Sequence, residues 1–350
     1  MLISSNSTTK TKSDDQSTNT KASKSKLDPE LEILMDEETQ TKNLRPASLS
    51  DLIGQKQVTK QLKIILDSAR IRDKLPEHIL FYGPPGLGKT TLASLIAAEL
   101  GVNFKAVSAP AIQKSGDMVS LLLNLEPNTI LFIDEIHRLK APIEEILYTA
   151  MEDHIVDVVI GKGQGAITTR MDIAEFTLVG ATTKLGKLSK PLQDRFTTIF
   201  QLQLYDELDI QHIIERNIDI LGLNLEYPAI VHLSHYCRGT PRVANNILRR
   251  MRDFQVVHKL DTISKIDVEG FLHDLGIFKY GLTKQDIHYL EALNKAGSLG
   301  VKTLAGILLE EVDTIEEVRE PYLIHLGLVD KGVEGRRLTP EGKNYINYVA

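Results

Sequence analysis

Two stretches of the chain combine residue types and spacings that suit phosphate chemistry. The first is GPPGLGKTT at 83–91, which fits the phosphate-loop pattern G-x-x-x-x-G-K-[ST]. Its glycines allow backbone N–H groups to close around phosphate oxygens, while Lys89 is expected to reach the β and γ phosphates and the Thr90 hydroxyl to hold Mg²⁺. A chance match in an unrelated loop is the alternative. The pattern predicts a nucleoside triphosphate site.

The second stretch is ILFIDEIHRL at 130–139, an apolar run that ends in two acids. At the carboxyl end of a parallel strand, Asp134 is predicted to bind Mg²⁺ and Glu135 to orient and polarise an attacking water. Acids at strand ends are also common as solvated turn residues. Because a phosphate loop lies upstream, the pair favours phosphoryl transfer to water.

A third candidate, Arg195, lies in PLQDRFTTIF at 191–200, shortly after FTLVGATT at 176–183. This position predicts a guanidinium at the edge of a sheet, with no evident route to the γ-phosphate of its own chain. From an edge it can reach across an interface and neutralise transition-state charge on a neighbour's nucleotide. The alternative is an ion pair within its own chain, with Asp194 or another acid.

The elements that must position these residues alternate between strands and helices. The strand candidates are HILFY at 78–82, TILFID at 129–134 and FTLVGATT at 176–183, and the helical patterns include TTLASLIAAEL at 90–100 and VSLLLNL at 119–125. This alternation predicts an α/β fold, a parallel sheet with helices on both faces. From about 206 the strand patterns stop and short amphipathic helices follow, and a third region begins near 279.

Length and composition set outer limits on the protein. At 350 residues the chain exceeds the usual size of a single core, so several domains are expected. The one cysteine, Cys237, excludes an intrachain disulfide, and the absence of long apolar runs or an apolar signal core predicts a cytoplasmic location. The net charge of −6 confines any contact with nucleic acid to a local basic patch.

Several motifs follow one another in a specific order. DEIHRL at 134–139, FTLVGATT, DRF at 194–196 and GTPRVANNILRR at 239–250 resemble the AAA+ ATPases. Four longer runs resemble the RuvB family, the motors that drive branch migration of Holliday junctions in bacterial recombination. These runs are LRPASLSDLIGQ at 44–55, EEILYTAMEDH at 144–154, RGTPRVANNILRRMRDF at 238–254 and DTIEEVREPYLIHLGLV at 313–329. The resemblance covers roughly residues 40–340.

The resemblance implies a ring-shaped homohexamer that uses ATP and Mg²⁺ and acts on duplex DNA at Holliday junctions, with RuvA and the RuvC resolvase as partners. It also implies a small helical lid domain and a C-terminal winged helix. The resulting division is a disordered tail at 1–26, rich in Ser and Thr, an AAA+ domain at 27–205, a lid at 206–278 and a winged helix at 279–350. A clamp-loader-like switch and a nucleotide-binding scaffold without turnover are the competing functions.

The resemblance also implies a nucleotide-binding role for a set of residues spread over the chain. They are Leu44 and Arg45 against the base with Tyr205 nearby, Gly86, Lys89, Thr90 and Thr91 at the phosphates and metal, Glu152, Asp153 and His154 near the nucleotide, Thr183 with Thr182 as a γ-phosphate sensor, and Arg195 and Arg242. Each has a plainer interpretation as a cap, a strand end, a packing residue or a surface arginine. Four residues depart from the family pattern: His154, Lys184, Gln193 and Glu334.

Alternating residues on both sides of GKGQG predict a β-hairpin within 154–173. The resemblance makes this hairpin the element that engages RuvA. Val156, Val158 and Ile160 would then face that partner. A hairpin packed flat on its own domain is the alternative.

The last region carries three helical patterns followed by the strand–turn–strand candidate LVDKGVEGRRLT at 328–339, an order typical of a winged helix. Residues 279–350 contain nine Lys or Arg against eleven Asp or Glu, so the region is not basic overall. Arg336 and Arg337, with Lys331 and Lys343, nonetheless cluster around the wing. They are predicted to contact DNA phosphates, and a merely solvated wing is the alternative.

Overall fold

The computed structural model describes residues 44–160 and 167–349, and for Val159 and Ile160 it describes the backbone alone. The predicted tail at 1–26 and the predicted turn GKGQG at 161–165 lie outside the described residues. Within the described part, no helix is both long and apolar enough to cross a membrane.

A five-stranded parallel sheet forms the centre of the first region. Its strands are β1 Ile79–Tyr82, β2 Asn103–Ser108, β3 Thr129–Asp134, and, after the hairpin strands β4 Ile155–Ile160 and β5 Ile167–Asp172, β6 Phe176–Thr182 and β7 Thr198–Gln201. Their order across the sheet is β2-β3-β6-β1-β7. β6 is buried along its whole length because the sheet is covered on both faces, which explains its mostly apolar sequence.

Helices cover both faces of this sheet. They are α1 Lys56–Arg72, α2 Lys89–Leu100, α3 Ser115–Leu123, α4 Ala141–Asp153 and α5 Lys190–Asp194. Successive residues of β1 point to opposite faces, so Ile79 and Phe81 join the core beneath α1 and α2, whereas Leu80 joins the core beneath α3 and α4. The predicted α/β fold is confirmed.

A helical region follows the sheet, as the sequence predicted. They are α6 Glu207–Leu221, α7 Tyr227–Ser234, α8 Pro241–His258 and α9 Lys265–Asp274. Asp206 caps α6 by accepting a hydrogen bond from the Asp209 N–H at 2.7 Å. Apolar residues of α6 to α9 belong to the same core as α1 and α2, so these helices pack against that side of the first region.

The last region is a winged helix with a core of its own. Its elements are β8 Ile277–Phe278, β9 Leu282–Thr283, α10 Lys284–Ala296, β10 Ser298–Leu299, α11 Val301–Leu308, α12 Val312–Thr314 with a π-helical turn Ile315–Arg319, α13 Glu320–His325, β11 Val329–Gly332, β12 Gly335–Leu338 and α14 Pro340–Val349. The strand–turn–strand prediction is confirmed by β11 and β12, which pair antiparallel and form the wing. The terminal helix α14 was not anticipated.

The prediction that Val156, Val158 and Ile160 face a partner is wrong for Val156. β4 and β5 do pair as a hairpin, with Val156 opposite Met171. However, Val156 is fully buried in the core beneath α3 and α4, and Val158 packs against the same core. The side chain of Ile160 lies outside the described residues. The base of the hairpin therefore packs on its own domain, because its apolar face completes that core.

The prediction that Arg336 contacts DNA is also wrong. Arg336 is only 6% exposed, and its guanidinium bonds to the carboxylates of Glu320 and Glu316, with Nε to Glu320 Oε1 at 2.6 Å. Both acids lie in the segment that follows α12. The sequence around the wing therefore did not reveal that they pair with Arg336. Arg337 instead points outward, with 63% of its side chain exposed, and pairs with Asp330 across the wing at 2.8 Å.

Candidate nucleotide-binding and catalytic site

The phosphate loop connects β1 to the first turn of α2, as its sequence predicts. Gly86 and Gly88 have φ angles of +84° and +96°, which L side chains rarely adopt. A Cβ atom on Gly86 would lie 3.0 Å from Cβ of Arg242, at the start of α8. The loop therefore needs glycine both for its turns and for the close approach of the lid. It ends at a helix N-terminus, where backbone N–H groups favour an anion.

Lys89 begins α2 and turns back beneath the loop. It is 8% exposed, and its Nζ donates to the carbonyl oxygens of Gly83 at 2.8 Å and Pro84 at 2.9 Å. Burial lowers the pKa of Lys89, while the charges of Asp134 and Glu135 act to raise it. The structure thus brings the predicted lysine and the predicted acids into one electrostatic neighbourhood. Its direct hydrogen bonds are to neutral carbonyls, so the lysine charge is available to an anionic ligand.

The two acids stand at the carboxyl end of β3, as predicted. The Glu135 N–H donates to Asp134 Oδ1 at 2.9 Å. Glu135 has a φ of +52°, a left-handed conformation that is unusual for a residue with a side chain. This bend starts a 3₁₀ turn at Ile136–Arg138 and directs the second acid away from the strand.

The two threonines at the end of β6 have different environments. Thr182 is fully buried, and its Oγ1 lies 2.9 Å from Nδ1 of His137 and accepts from the Lys184 N–H, also at 2.9 Å. Thr183 is partly exposed at the same end of the sheet. Burial lowers the pKa of His137, although the neighbouring Glu135 acts to raise it. Sequence reasoning assigned no role to His137, whose partner Thr182 is remote in sequence.

The residues predicted to surround the base meet where α6 approaches the loop. Leu44 is buried, and its carbonyl accepts from an Arg216 nitrogen at 2.5 Å. The Tyr205 hydroxyl donates to the Leu87 carbonyl at 3.4 Å, and burial raises the pKa of Tyr205 to about 12, so the hydroxyl stays protonated. The Arg45 side chain is exposed beside Leu44. Sequence reasoning missed Arg216, which ties this N-terminal segment to the lid.

The lid reaches the phosphate loop through α8. The Arg242 N–H donates to the Gly86 carbonyl at 3.4 Å, and its charge acts on Lys89 by lowering the lysine pKa. One turn earlier, the Gly239 carbonyl accepts from the Tyr205 N–H at 2.8 Å. The segment 239–242 therefore contacts both the base side and the phosphate side of the candidate site.

Arg195 lies just after α5 and makes contacts within its own chain. Its guanidinium bonds Glu152 Oε2 at 3.1 Å and the Pro191 carbonyl at 2.9 Å, and it stacks 4.4 Å from the ring centre of Tyr148. The structure thus shows an ion pair with an acid of the same chain. That acid is Glu152 rather than Asp194, which pairs with Lys190. Glu152 and Arg195, both predicted to act on nucleotide, are therefore neighbours.

Three of the four departures from the family pattern, Gln193, Lys184 and His154, have side-chain contacts in the structure. The Gln193 side-chain amide donates to the carbonyls of Leu188 at 2.9 Å and Leu185 at 3.3 Å, so it braces the turn before α5. Lys184 pairs with Glu317 of the winged helix, which links the end of β6 to the last region. The ring of His154 meets Phe176 edge-on, with 6.0 Å between the ring centres.

The sheet order, the phosphate loop, the acids at the end of β3 and the contacting helical lid define a P-loop ATPase of the AAA+ class. Three family models match the chain in sequence. They are the Holliday junction DNA helicase RuvB P-loop domain over 44–202, the RuvB AAA lid domain over 205–277 and the RuvB C-terminal winged helix domain over 279–347. The chain belongs to the RuvB family, and it is an ATPase of the helicase type.

Curated relatives and solved structures agree with the family models. The Holliday junction branch migration complex subunit RuvB of Paramagnetospirillum magneticum is 45% identical over 307 residues, which is 87% of this chain and 88% of that protein. Its counterpart in Ehrlichia ruminantium (strain Gardel) is 45% identical over 312 residues, or 89% and 94%. The Thermotoga maritima RuvB Holliday junction branch migration motor superposes with a TM-score of 0.78 at 39% identity, covering 87% of this chain and 98% of that one.

Proposed function

We propose that this protein is the ATP-driven motor of a Holliday-junction branch-migration complex, in which a ring of six identical subunits pulls duplex DNA during homologous recombination and repair. The observation that carries the proposal is the convergence at the phosphate loop. Lys89 lies within the electrostatic influence of Asp134 and Glu135 at the end of β3 and of Arg242 on α8 of the lid. Such an arrangement lets the lid respond to the charge on a bound nucleotide.

In this proposal ATP binds with its phosphates at the N-terminus of α2. Lys89 neutralises charge on the β and γ phosphates, and Glu135 orients and polarises the attacking water. Thr183 faces the γ-phosphate and Arg242 reaches it from the lid. Because phosphoryl transfer needs little covalent help, positioning and electrostatic stabilisation supply most of the catalysis.

Mg²⁺ fits the residues present at this site. The Thr90 hydroxyl and the Asp134 carboxylate offer the oxygen ligands that this ion prefers. The remaining ligands would come from phosphates and water, as is usual for this ion. Held by Thr90 and Asp134, the ion would supply positive charge that offsets the negative charge developing on the phosphate oxygens.

Arg195 is proposed to complete the active site of the neighbouring subunit. Its ion pair with Glu152 and its stacking on Tyr148 hold the guanidinium in place with 21% of the side chain exposed. A guanidinium delivered in trans is worth about 10³ to 10⁵ in rate in related phosphoryl-transfer enzymes. This role would make assembly a requirement for hydrolysis.

Contacts with DNA and partners are assigned to exposed residues. Arg337 and Lys343 are exposed near the wing and are proposed to bind backbone phosphates. In the described part of the hairpin, Ile167 and Met171 are 68% and 39% exposed, and they replace Val156 beside Val158 as the proposed contacts with RuvA. RuvC as a further partner, a cytoplasmic location and the domain limits at 26, 205 and 278 belong to the same proposal.

The test is branch migration of a synthetic four-way junction by the purified protein with RuvA and ATP. We expect strand products with the wild type and none with Glu135→Gln, which keeps the shape of the acid but not its charge. Hydrolysis stimulated by the junction without any strand products would contradict the motor and favour the clamp-loader-like switch. Binding of ATP without turnover would favour the scaffold.

A further inference from the structure

His137 lies between the two strand ends that form the catalytic edge of the sheet. It belongs to the 3₁₀ turn after β3, and its side chain is 6% exposed. Nδ1 lies 2.9 Å from the hydroxyl of Thr182 on β6, while Nε2 lies 3.5 Å from Oε2 of Glu135. The ring therefore bridges the proposed water-orienting acid and the strand that carries the proposed γ-phosphate sensor.

The contacts of Thr182 and the nearby Glu135 carboxylate together favour one direction for the hydrogen bonds of His137. The Thr182 oxygen already accepts the Lys184 N–H, so its own proton is free to point at Nδ1 of His137. A neutral imidazole that accepts at Nδ1 carries its proton on Nε2. That N–H then faces the carboxylate of Glu135. The opposite tautomer would set a ring lone pair against the negative carboxylate.

Glu135 is a residue that needs such support. Its backbone adopts a left-handed conformation, and 34% of its side chain is exposed, so neither packing nor regular secondary structure fixes the carboxylate. A water-orienting acid must be held in one rotamer by its surroundings, since small displacements cost large factors in rate. The separation of 3.5 Å is of the kind that shortens when a catalytic site closes around substrate.

We propose that His137 is a positioning residue for ATP hydrolysis, which holds the Glu135 carboxylate towards the attacking water and ties it to Thr182 at the end of β6. This inference rests on the proposed role of Glu135. It adds a specific link between the catalytic acid and the sensor strand, because any shift of β6 that moves the Thr182 hydroxyl also moves the imidazole.

The test compares His137→Phe with His137→Gln in steady-state ATP hydrolysis. Phenylalanine keeps the ring in its buried place but removes both hydrogen-bonding atoms, whereas glutamine retains an acceptor and an N–H donor. We expect His137→Phe to lower kcat about tenfold or more with KM for ATP and the thermal midpoint little changed, a loss typical of groups that orient a functional side chain. His137→Gln should recover a substantial part. Thr182→Val, which keeps the ring and removes its orienting hydroxyl, should lower kcat by a smaller factor.

Glu135→Gln separates this inference from the function on which it rests. In that background the added His137→Phe change should cause no further loss in single-turnover hydrolysis, because a residue acting through Glu135 cannot be additive with it. Full multiplicative loss in the double variant would overturn the inference, as would a kcat of His137→Phe and Thr182→Val within twofold of the parent. Wild-type turnover by Glu135→Gln alone would instead overturn the proposed role of Glu135.

Discussion

Lys89 in the phosphate loop and Arg336 in the wing are both buried cations, but their hydrogen-bond partners differ in charge. Lys89 donates to the neutral carbonyls of Gly83 and Pro84. Arg336 bonds the carboxylates of Glu320 and Glu316. Burial lowers the pKa of Lys89, whereas the hydrogen bonds to Glu320 raise the pKa of Arg336. A cation whose charge is not neutralised by its own fold can bind an anionic ligand, and one that is neutralised contributes to structure.

The largest effect is expected for Lys89→Ala. Loss of the ammonium removes charge stabilisation at the transferring phosphate, and we expect ATP turnover to fall by about 10²-fold to 10³-fold or more. The measurement is steady-state phosphate release, with circular dichroism to verify folding. Lys74→Ala, an exposed lysine that follows α1, is the matched control and should leave turnover unchanged. Near-normal turnover by a folded Lys89→Ala protein would remove the contrast between the two cations.

Arg336→Ala should act on stability instead. It leaves Glu320, which is 2% exposed, as a buried acid without its main partner, and removing one member of a buried pair costs about 3 kcal/mol or more. This change is measured as the free energy of unfolding of the winged helix in urea. The neighbouring Arg337→Ala is the matched control, expected within about 0.5 kcal/mol of wild type because its side chain is largely exposed. Equal destabilisation by the two variants would contradict the buried-pair assignment.

DNA binding is expected to depend on Arg337, the residue that contributes little to stability. Arg337→Ala is expected to weaken binding to duplex DNA of any sequence, and to lower the slope of log affinity against log salt by about 0.9 if one phosphate contact is lost. Fluorescence anisotropy over a range of salt concentrations measures the slope. An unchanged slope would favour the alternative in which the wing is merely solvated and does not contact DNA. DNA-free ATP hydrolysis, measured on the same samples, should not change.

These two regions also mark the limit of what the sequence predicted. The phosphate loop, the acids after β3 and the strands of the sheet depend on residues that are close in sequence, and the fold class was predicted correctly. Arg336 was misassigned because its neutralising acids come from a segment that only folding brings beside the wing. Val156 was misassigned for a related reason, since the alternation of a hairpin does not reveal which face meets the core beneath α3 and α4.

His137 and Arg216 illustrate the residues that were missed. Neither belongs to the metal-binding or phosphate-binding pattern, and each acts through a partner that is far away in the chain, the Thr182 hydroxyl in one case and the Leu44 carbonyl in the other. A buried polar side chain must find hydrogen-bond partners, but the sequence does not state which ones. Periodicity locates elements, whereas such pairs follow from the packing of elements.

A smaller, pH-dependent effect is expected where the lid meets the winged helix. Burial acts to raise the pKa of Asp286, but the charge of Arg238 and hydrogen bonds from Thr283 outweigh it and lower the pKa below 3.8. A carboxyl with a lowered folded pKa stabilises the fold fully above its unfolded pKa, and this contribution is lost as the pH falls through the folded value. Urea unfolding below pH 3.8 should therefore show a steeper loss of stability in wild type than in Asp286→Asn. Parallel pH profiles would contradict the assignment.

The central claim is that each ATP site is completed by Arg195 of a neighbouring subunit, and mixing two inactive variants tests it most directly. Arg195→Ala keeps Glu135 but lacks the trans guanidinium, and Glu135→Gln keeps the guanidinium but lacks the water-orienting acid. We predict that each alone binds ATP and hardly hydrolyses it, and that co-assembled mixtures regain part of the turnover, because Arg195 of the second variant serves the intact site of the first. The account would be contradicted if mixtures that are shown to co-assemble recovered no activity at any ratio. It would also be contradicted if isolated monomers hydrolysed ATP at the rate of the ring.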